Sequence, residues 1–145
     1  LPEGTINVTG SAWLDREWSS QPLSENQSGW DWFSLSLDNG AKLMGFQLRQ
    51  TDGSTLSSSS WIEPTGSLTS YGNKEFVAKP LNLHTVGEKK LPTHWRLLLK
   101  DKNIDVNVKA INPNAWMDLS IPYWEGPVEI SGSHSGRGYL EMTGY

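Results

Sequence analysis

Apolar residues in this chain recur at every second position, in short runs closed by glycine, proline, asparagine or aspartate. Successive side chains of a strand point to opposite faces, so such runs read as strands with one buried face. No 3.6-residue period competes with this pattern. In "WDWFSLSLDNGAKLMGFQLRQTDG", Asp31, Phe33, Leu35 and Leu37 share one face of the first half. Met44, Phe46 and Leu48 share one face of the second half. Asp38-Asn39-Gly40 between them is a hairpin signal, because Asn and Gly accept positive φ. "TDG" at 51–53 closes the second strand in the same way. The first run is expected over 5–18, and later ones over 67–71, 76–84, 94–100, 104–111, 123–131 and 138–145. "KDKN" at 100–103 reads as a further hairpin turn, and the serine run 57–60 as a loop. The prolines fall mostly at run boundaries, where a missing N–H matters little. About nine or ten short strands at regular spacing predict an antiparallel barrel or sandwich, and closure into a barrel would remove exposed edges.

The totals narrow the function. A chain of 145 residues suits one domain able to bury a real core. A net charge of −4 and no basic run argue against nucleic acid as a partner. Lys89-Lys90, the longest basic pair, reads as a solvated turn. The chain has no cysteine, which excludes disulfides and thiolate metal sites. No apolar stretch approaches the ~20 residues of a membrane helix, and no signal peptide is visible. The chain begins at Leu1 rather than Met, as expected of a fragment or processed product. Its eight tryptophans are the dominant compositional fact. Large rings fill a core or wall an apolar pocket. Core packing is the default expectation for Trp13, Trp30, Trp32, Trp61 and Trp95 individually. An indole-walled ligand cavity is the alternative.

Most chemical motifs fail on inspection. "SGSHSGRG", 131–138, groups Ser133, His134 and Ser135, but a nucleophile elbow needs serine midway between the glycines on a strand-to-helix turn. Here the middle residue is His134 and no helix follows, so a glycine-rich hairpin loop is expected. The glycines do not form a dinucleotide fingerprint. His84, His94 and His134 lack metal-ligand spacing. Asn7-Val8-Thr9 and Asn26-Gln27-Ser28 match the glycosylation sequon only weakly. Charged residues inside aromatic stretches are more informative. In "GSAWLDREWSS", a strand would place Ala12, Leu14, Arg16 and Trp18 on one face and Trp13, Asp15 and Glu17 on the other. Charges near a low-dielectric interior must be paired and hydrogen-bonded. Asp15, Glu17, Asp31, Glu125 and Glu141 sit in such stretches, as do Arg16 and Arg49. They form either a salt-bridge lattice with partners such as Arg49 and Glu125, or a site where a carboxyl acts as acid or base.

Three blocks carry a family resemblance: "GSAWLDREWSS", "GWDWFSLSLDNGAKLMGFQLR" and "YWEGPVEISGSHSGRGYLEMTGY". Together they resemble the C-terminal half of the CrtC/AttH-like family, which includes carotenoid 1,2-hydratases (hydroxyneurosporene synthases) and predicted secreted hydrolases of bacteria. The resemblance covers about 4–145. It implies an all-β, antiparallel lipocalin-like β-barrel of about 8–10 strands, a single domain over 1–145 that forms the C-terminal half of a longer two-domain protein. It implies an apolar small molecule (terpenoid, polyene or lipid-like), an N-terminal domain as partner, no cofactor and no metal, and a secreted or periplasmic setting. Asp15 and Glu17 are the implied catalytic acid or base. Arg16, Trp18, Trp30, Trp32, Arg49, Tyr123, Trp124 and Glu125 are the implied ligand-binding residues. The hydratases carry histidine where this chain has Arg16, and arginine cannot release a proton in a protein. The "LMGFQLR" strand also lacks the acidic residue expected of hydratases. The chain therefore resembles the AttH-like branch more than the carotenoid branch. Three expectations follow: an enzyme of the hydratase or hydrolase type, a non-catalytic binder of apolar ligands, or a structural domain with an apolar outer patch that supports an N-terminal domain.

Overall fold

A computed structural model of the chain describes residues 4–10, 12–16 and 23–145. Ten strands account for most of residues 27–143: β1 (Gln27–Leu37), β2 (Lys42–Gln50), β3 (Thr55–Ile62), β4 (Leu68–Tyr71), β5 (Phe76–Val86), β6 (Lys89–Leu99), β7 (Ile104–Ala110), β8 (Trp116–Met117), β9 (Tyr123–Gly132) and β10 (Gly136–Thr143). All pairings are antiparallel, in the order β4-β3-β2-β1-β10-β9-β7-β6-β5, with β8 beside β9.

The chain connection forces this sheet to curl. β4 and β5 stand at opposite ends of the order, yet only residues 72–75 separate them. Such a link spans at most roughly 18 Å, whereas nine flat strands would set the edges roughly 38 Å apart. The ends are also stitched together. Ser57 Oγ donates to the Phe76 carbonyl at 2.8 Å, and Lys74 N donates to Ser57 Oγ at 3.1 Å. The result is a half-barrel of the expected lipocalin-like class.

Turn chemistry follows the sequence at several corners. Gly40 takes φ +86 between β1 and β2, and Asn39 Oδ1 accepts the Ala41 N–H at 3.0 Å. Asn103 is left-handed after a single 3-10 turn at Lys100–Lys102. Lys89-Lys90, expected as a solvated turn, instead opens β6, because Gly87 makes the turn two residues earlier. Lys89 Nζ donates to the Tyr145 carbonyl at 2.8 Å and lies 4.6 Å above the Trp116 ring.

The concave interior is packed with side chains. Phe33 meets Phe76 at 6.2 Å and Trp95 at 5.4 Å, both edge to face. Leu35, Leu43, Leu97, Val106, Trp124, Val128 and Leu140 are fully buried around them. Phe76 fits because Gly45 lies beneath it: a Cβ there would come within 2.3 Å of the ring. This packing also explains the serine run, which is part of β3 rather than a loop. Ser59 pairs with Gly45 and is buried, so small side chains on adjacent strands leave room for the ring.

One strand expectation is corrected. Residues 5–10 and 12–16 adopt neither helix nor strand, and their side chains are exposed. Both edges of β1 are already taken by β2 and β10, and the described residues 9–10 and 12–15 lie over the sheet's face instead of extending it. Met44, Phe46 and Leu48 do share a face, but it is the half-buried outer one. Leu43, Gly45 and Gln47 face inward.

Surface carboxylates give the fold an acid limit. Arg96 binds Asp105 through two hydrogen bonds of 2.7 Å and holds its carboxyl below the usual 3.8. Lys102 does the same for Glu63, and Ser135 for Asp38. A lowered folded pKa contributes stability above the ordinary value that is lost as pH falls through the lower one. Tm should therefore fall below about pH 4, and Arg96→Gln should make that fall shallower in melting curves taken across the acid range.

Candidate functional site

The outward side of β1 presents Trp30, Trp32, Ser34 and Ser36, and the outward sides of β10 and β9 present Arg137, Tyr139, Glu141, Glu125 and Pro127. Register then fixes the neighbours. Trp32 faces Glu141, Glu141 faces Glu125, and Ser34 faces Tyr139. Residues 9–10 and 12–15 lie against this surface. Trp13 sets its ring edge-on to Trp32, with centroids 6.0 Å apart and planes at 74°. Ser34 is only 5% exposed on this outer side. The overlying residues and the sheet enclose a cleft of about 830 Å³, lined by Trp13, Trp32 and Tyr139, by the carboxylates of Asp15, Glu125 and Glu141, and by Arg137 among others.

The cleft floor is electrostatically unusual. Glu125 and Glu141 lie directly opposite each other across β9 and β10. Like charges so placed destabilise a sheet by roughly 0.2–1 kcal/mol. Trp30 Nε1 donates to Glu141 Oε1 at 2.7 Å and orients that carboxylate. Tyr123, next to them, has its phenol pKa pushed up, first by burial and then by the Glu125 and Glu141 charges. Relieving that repulsion should be visible in stability: Glu125→Gln should raise Tm by about 1–3 °C in melting curves.

Of the residues singled out in the sequence, Asp15, Trp32 and Glu125 line this cleft, Trp30 reaches it through Glu141, and Tyr123 borders it. Arg16 is exposed, its backbone N–H donating to Asp15 Oδ1 at 2.8 Å. Glu17 and Trp18 lie outside the described residues. Arg49 and Trp124 are elsewhere. Trp124 is fully buried in the core, its Nε1 donating to the Pro113 carbonyl at 2.9 Å. Glu141, noted in the sequence as a carboxylate in an aromatic stretch but not among the implied ligand-binding residues, also lines the cleft, whereas Tyr139 and Arg137 were not singled out. The β9–β10 register, counted outward from the turn at 131–135, would have placed Glu141 opposite Glu125.

Arg49 belongs to a second polar centre, at one mouth of the half-barrel. Its Nη1 lies 2.5 Å from Oδ1 of Asp31, which has no exposed surface. Tyr145 Oη donates to the same oxygen at 2.8 Å, and Gln47 Nε2 donates to Oδ2 at 3.1 Å. Arg49 also donates to the Thr143 carbonyl and stacks 3.9 Å from the Tyr145 ring centroid. Burial pushes the Asp31 carboxyl up, while Arg49, Tyr145 and Gln47 pull it back. Burial likewise pushes the Tyr145 phenol up. With both carboxylate oxygens occupied, this centre is a latch that ties residues 143–145 to β1 and β2. The expected pairing of Arg49 with the "WLDREW" stretch is thus replaced by Asp31.

The "SHS" stretch is a hairpin turn. Ser133 Oγ is 3.2 Å from His134 Nδ1, but Asp38 accepts from Ser135 Oγ at 2.6 Å rather than orienting the imidazole. Among the described residues, no group of three or more His, Cys, Asp or Glu side chains is arranged to hold a metal ion. No helix among them is long and apolar enough to cross a membrane.

The AttH-like family model matches residues 1–145. The chain belongs to the AttH-like family. Its fold superposes on the crystal structure of an AttH protein from Nitrosomonas europaea, with a TM-score of 0.79 and 29% identity. It also superposes on kievitone hydratase from Nectria haematococca, with a TM-score of 0.71; at 14% identity that likeness concerns the fold. In both cases 88% of this chain aligns with 42% of the other, so it spans less than half the length of either relative. No curated protein matches the chain.

Proposed function

We propose that this AttH-like domain holds an apolar or amphipathic small molecule in the outer-face cleft, as the C-terminal half of a longer two-domain chain. The observation that carries the reading is the aromatic corner of Trp13 and Trp32 over a cleft of about 830 Å³ on the outer face. The interior of the half-barrel is occupied by Phe33, Phe76 and Trp95, so the ligand reading rests on the outer face rather than the lumen. An apolar strip continues beside the cleft. Trp30, Leu48 and Leu56 lie in one cross-strand row, with Phe46 beside Trp32 and Met44 beside Ser34. Leu56 is 50% exposed. This strip suits the N-terminal domain, which would close the cleft from the β2–β3 side.

The residues also permit acid–base work. As a general acid, Asp15 or Glu125 would pass a proton to an alkene carbon, with indole faces stabilising the cation. Water then adds, and a second carboxylate takes the proton it releases. Addition of water across a carbon–carbon double bond is the reaction that the resemblance to carotenoid 1,2-hydratases implies, and Asp15 is our first candidate for the acid.

Native mass spectrometry of the protein purified from its own host, with organic extraction, tests the binding reading. A stoichiometric small molecule retained by the native chain and lost from Trp32→Ala is expected. Retention unchanged by Trp32→Ala, in a variant with a native melting curve, would remove the ligand from this cleft.

A further inference from the structure

The cleft's lining also narrows the chemistry of its occupant, on the reading that the cleft is a binding site. We infer that the occupant is an organic cation, an ammonium group carried on an apolar body.

Asp15, Glu125 and Glu141 face the same space, and among the described lining residues Arg137 is the one cation set against them. Trp30 Nε1 donates a hydrogen bond to Glu141 and fixes that carboxylate at the edge of the cleft. An anionic ligand would meet three carboxylates. A neutral apolar ligand would strip water from the facing glutamates and offer them nothing in return. A cation relieves the repulsion between them and keeps them paired.

Shape points the same way. Trp13 and Trp32 meet at 74° with centroids 6.0 Å apart, so two indoles form a corner. Ring faces attract cations through their quadrupole, and aromatic corners backed by carboxylates suit alkylated ammonium groups, which are too weakly hydrated to prefer water. A bare metal ion fits less well. It would need convergent oxygen ligands, and no such group occurs among the described residues. The volume, about 830 Å³, leaves room for an apolar body as well as a head group.

The test uses three probes with the same tail: octyltrimethylammonium, octanol and octanoate, titrated into the full chain and read by calorimetry. The ammonium should bind on the order of tenfold more tightly than the alcohol, and the carboxylate most weakly. Added salt should weaken ammonium binding alone. Glu125→Gln and Glu141→Gln should each lower ammonium affinity several-fold and leave alcohol affinity unchanged. Trp32→Phe, which keeps an aromatic ring, should retain most of the binding that Trp32→Ala loses. If alcohol and ammonium bind equally and Trp32→Ala weakens both, the cleft reading stands and the cation inference fails. If octanoate binds best, the inference fails outright. If no probe binds, both readings fall.

Discussion

Replacing Arg49 with methionine is expected to destabilise the fold by about 3–5 kcal/mol, lowering Tm by on the order of 10 °C. The variant keeps most of the side-chain volume but leaves Asp31 buried with no counter-charge. It also frees the Thr143 carbonyl and the face of Tyr145, so residues 143–145 lose their tie to β1 and β2. The sign of the pH dependence follows from the same geometry. Burial already pushes the Asp31 carboxyl above 3.8, and removing Arg49 takes away the strongest influence opposing that rise. With its folded pKa above the unfolded one, the folded variant binds more protons across that window. Its stability therefore falls as pH rises through the window. Arg49→Met should be less destabilised near pH 5 than near pH 8. Adding Asp31→Asn should recover much of the loss and remove the pH dependence. Chemical denaturation of the single and double variants at both pH values checks this. A loss of under about 1 kcal/mol, independent of pH, would show that the pair is no more than a surface contact.

The second large effect is expected at Trp95, 1% exposed and edge-on to Phe33 at 5.4 Å. Trp95→Ala should destabilise by about 3–5 kcal/mol, because removing a fully buried indole leaves a large cavity beside Phe33. Trp95→Phe should do much less harm than its loss of volume suggests. The indole Nε1 is buried without a hydrogen-bond partner, and phenylalanine removes that unsatisfied donor. Urea unfolding of the two variants should rank them clearly apart. A loss from Trp95→Phe as large as that from Trp95→Ala would contradict this expectation.

The sequence was most legible where one physical rule acted alone. Alternation around Phe33, Leu35 and Leu37 located β1 and its inward face, and Asn39-Gly40 marked its turn. It misled where tertiary packing overrode local pattern. Ser57–Ser60 looks like a loop until the Phe76 ring is seated over Gly45, two strands' worth of small residues beneath it. The stretch at 12–16 alternates like a strand, but β1 has no free edge for it to join. The site was half legible. Asp15, Trp32 and Glu125 stood out as charge and indole in unusual places. That they meet outside the barrel, with Glu141 completing the floor, depends on register and on residues 12–15 lying over the sheet's face, which alternation cannot reveal. Arg49 was noticed for the right reason, a charge among apolar residues, but burial gave it a structural partner.

The account's central claim is that ligand binds on the outer face, in the corner between Trp13 and Trp32. The tryptophan side chains themselves can report it. Indole ¹H–¹⁵N resonances should be followed while octyltrimethylammonium is titrated into isotopically labelled protein. The account predicts that the Trp13, Trp30 and Trp32 resonances move together and saturably, while those of the buried Trp95 and Trp124 stay fixed. Movement of Trp95 and Trp124 with Trp32 unmoved would place the ligand inside the half-barrel and contradict the account.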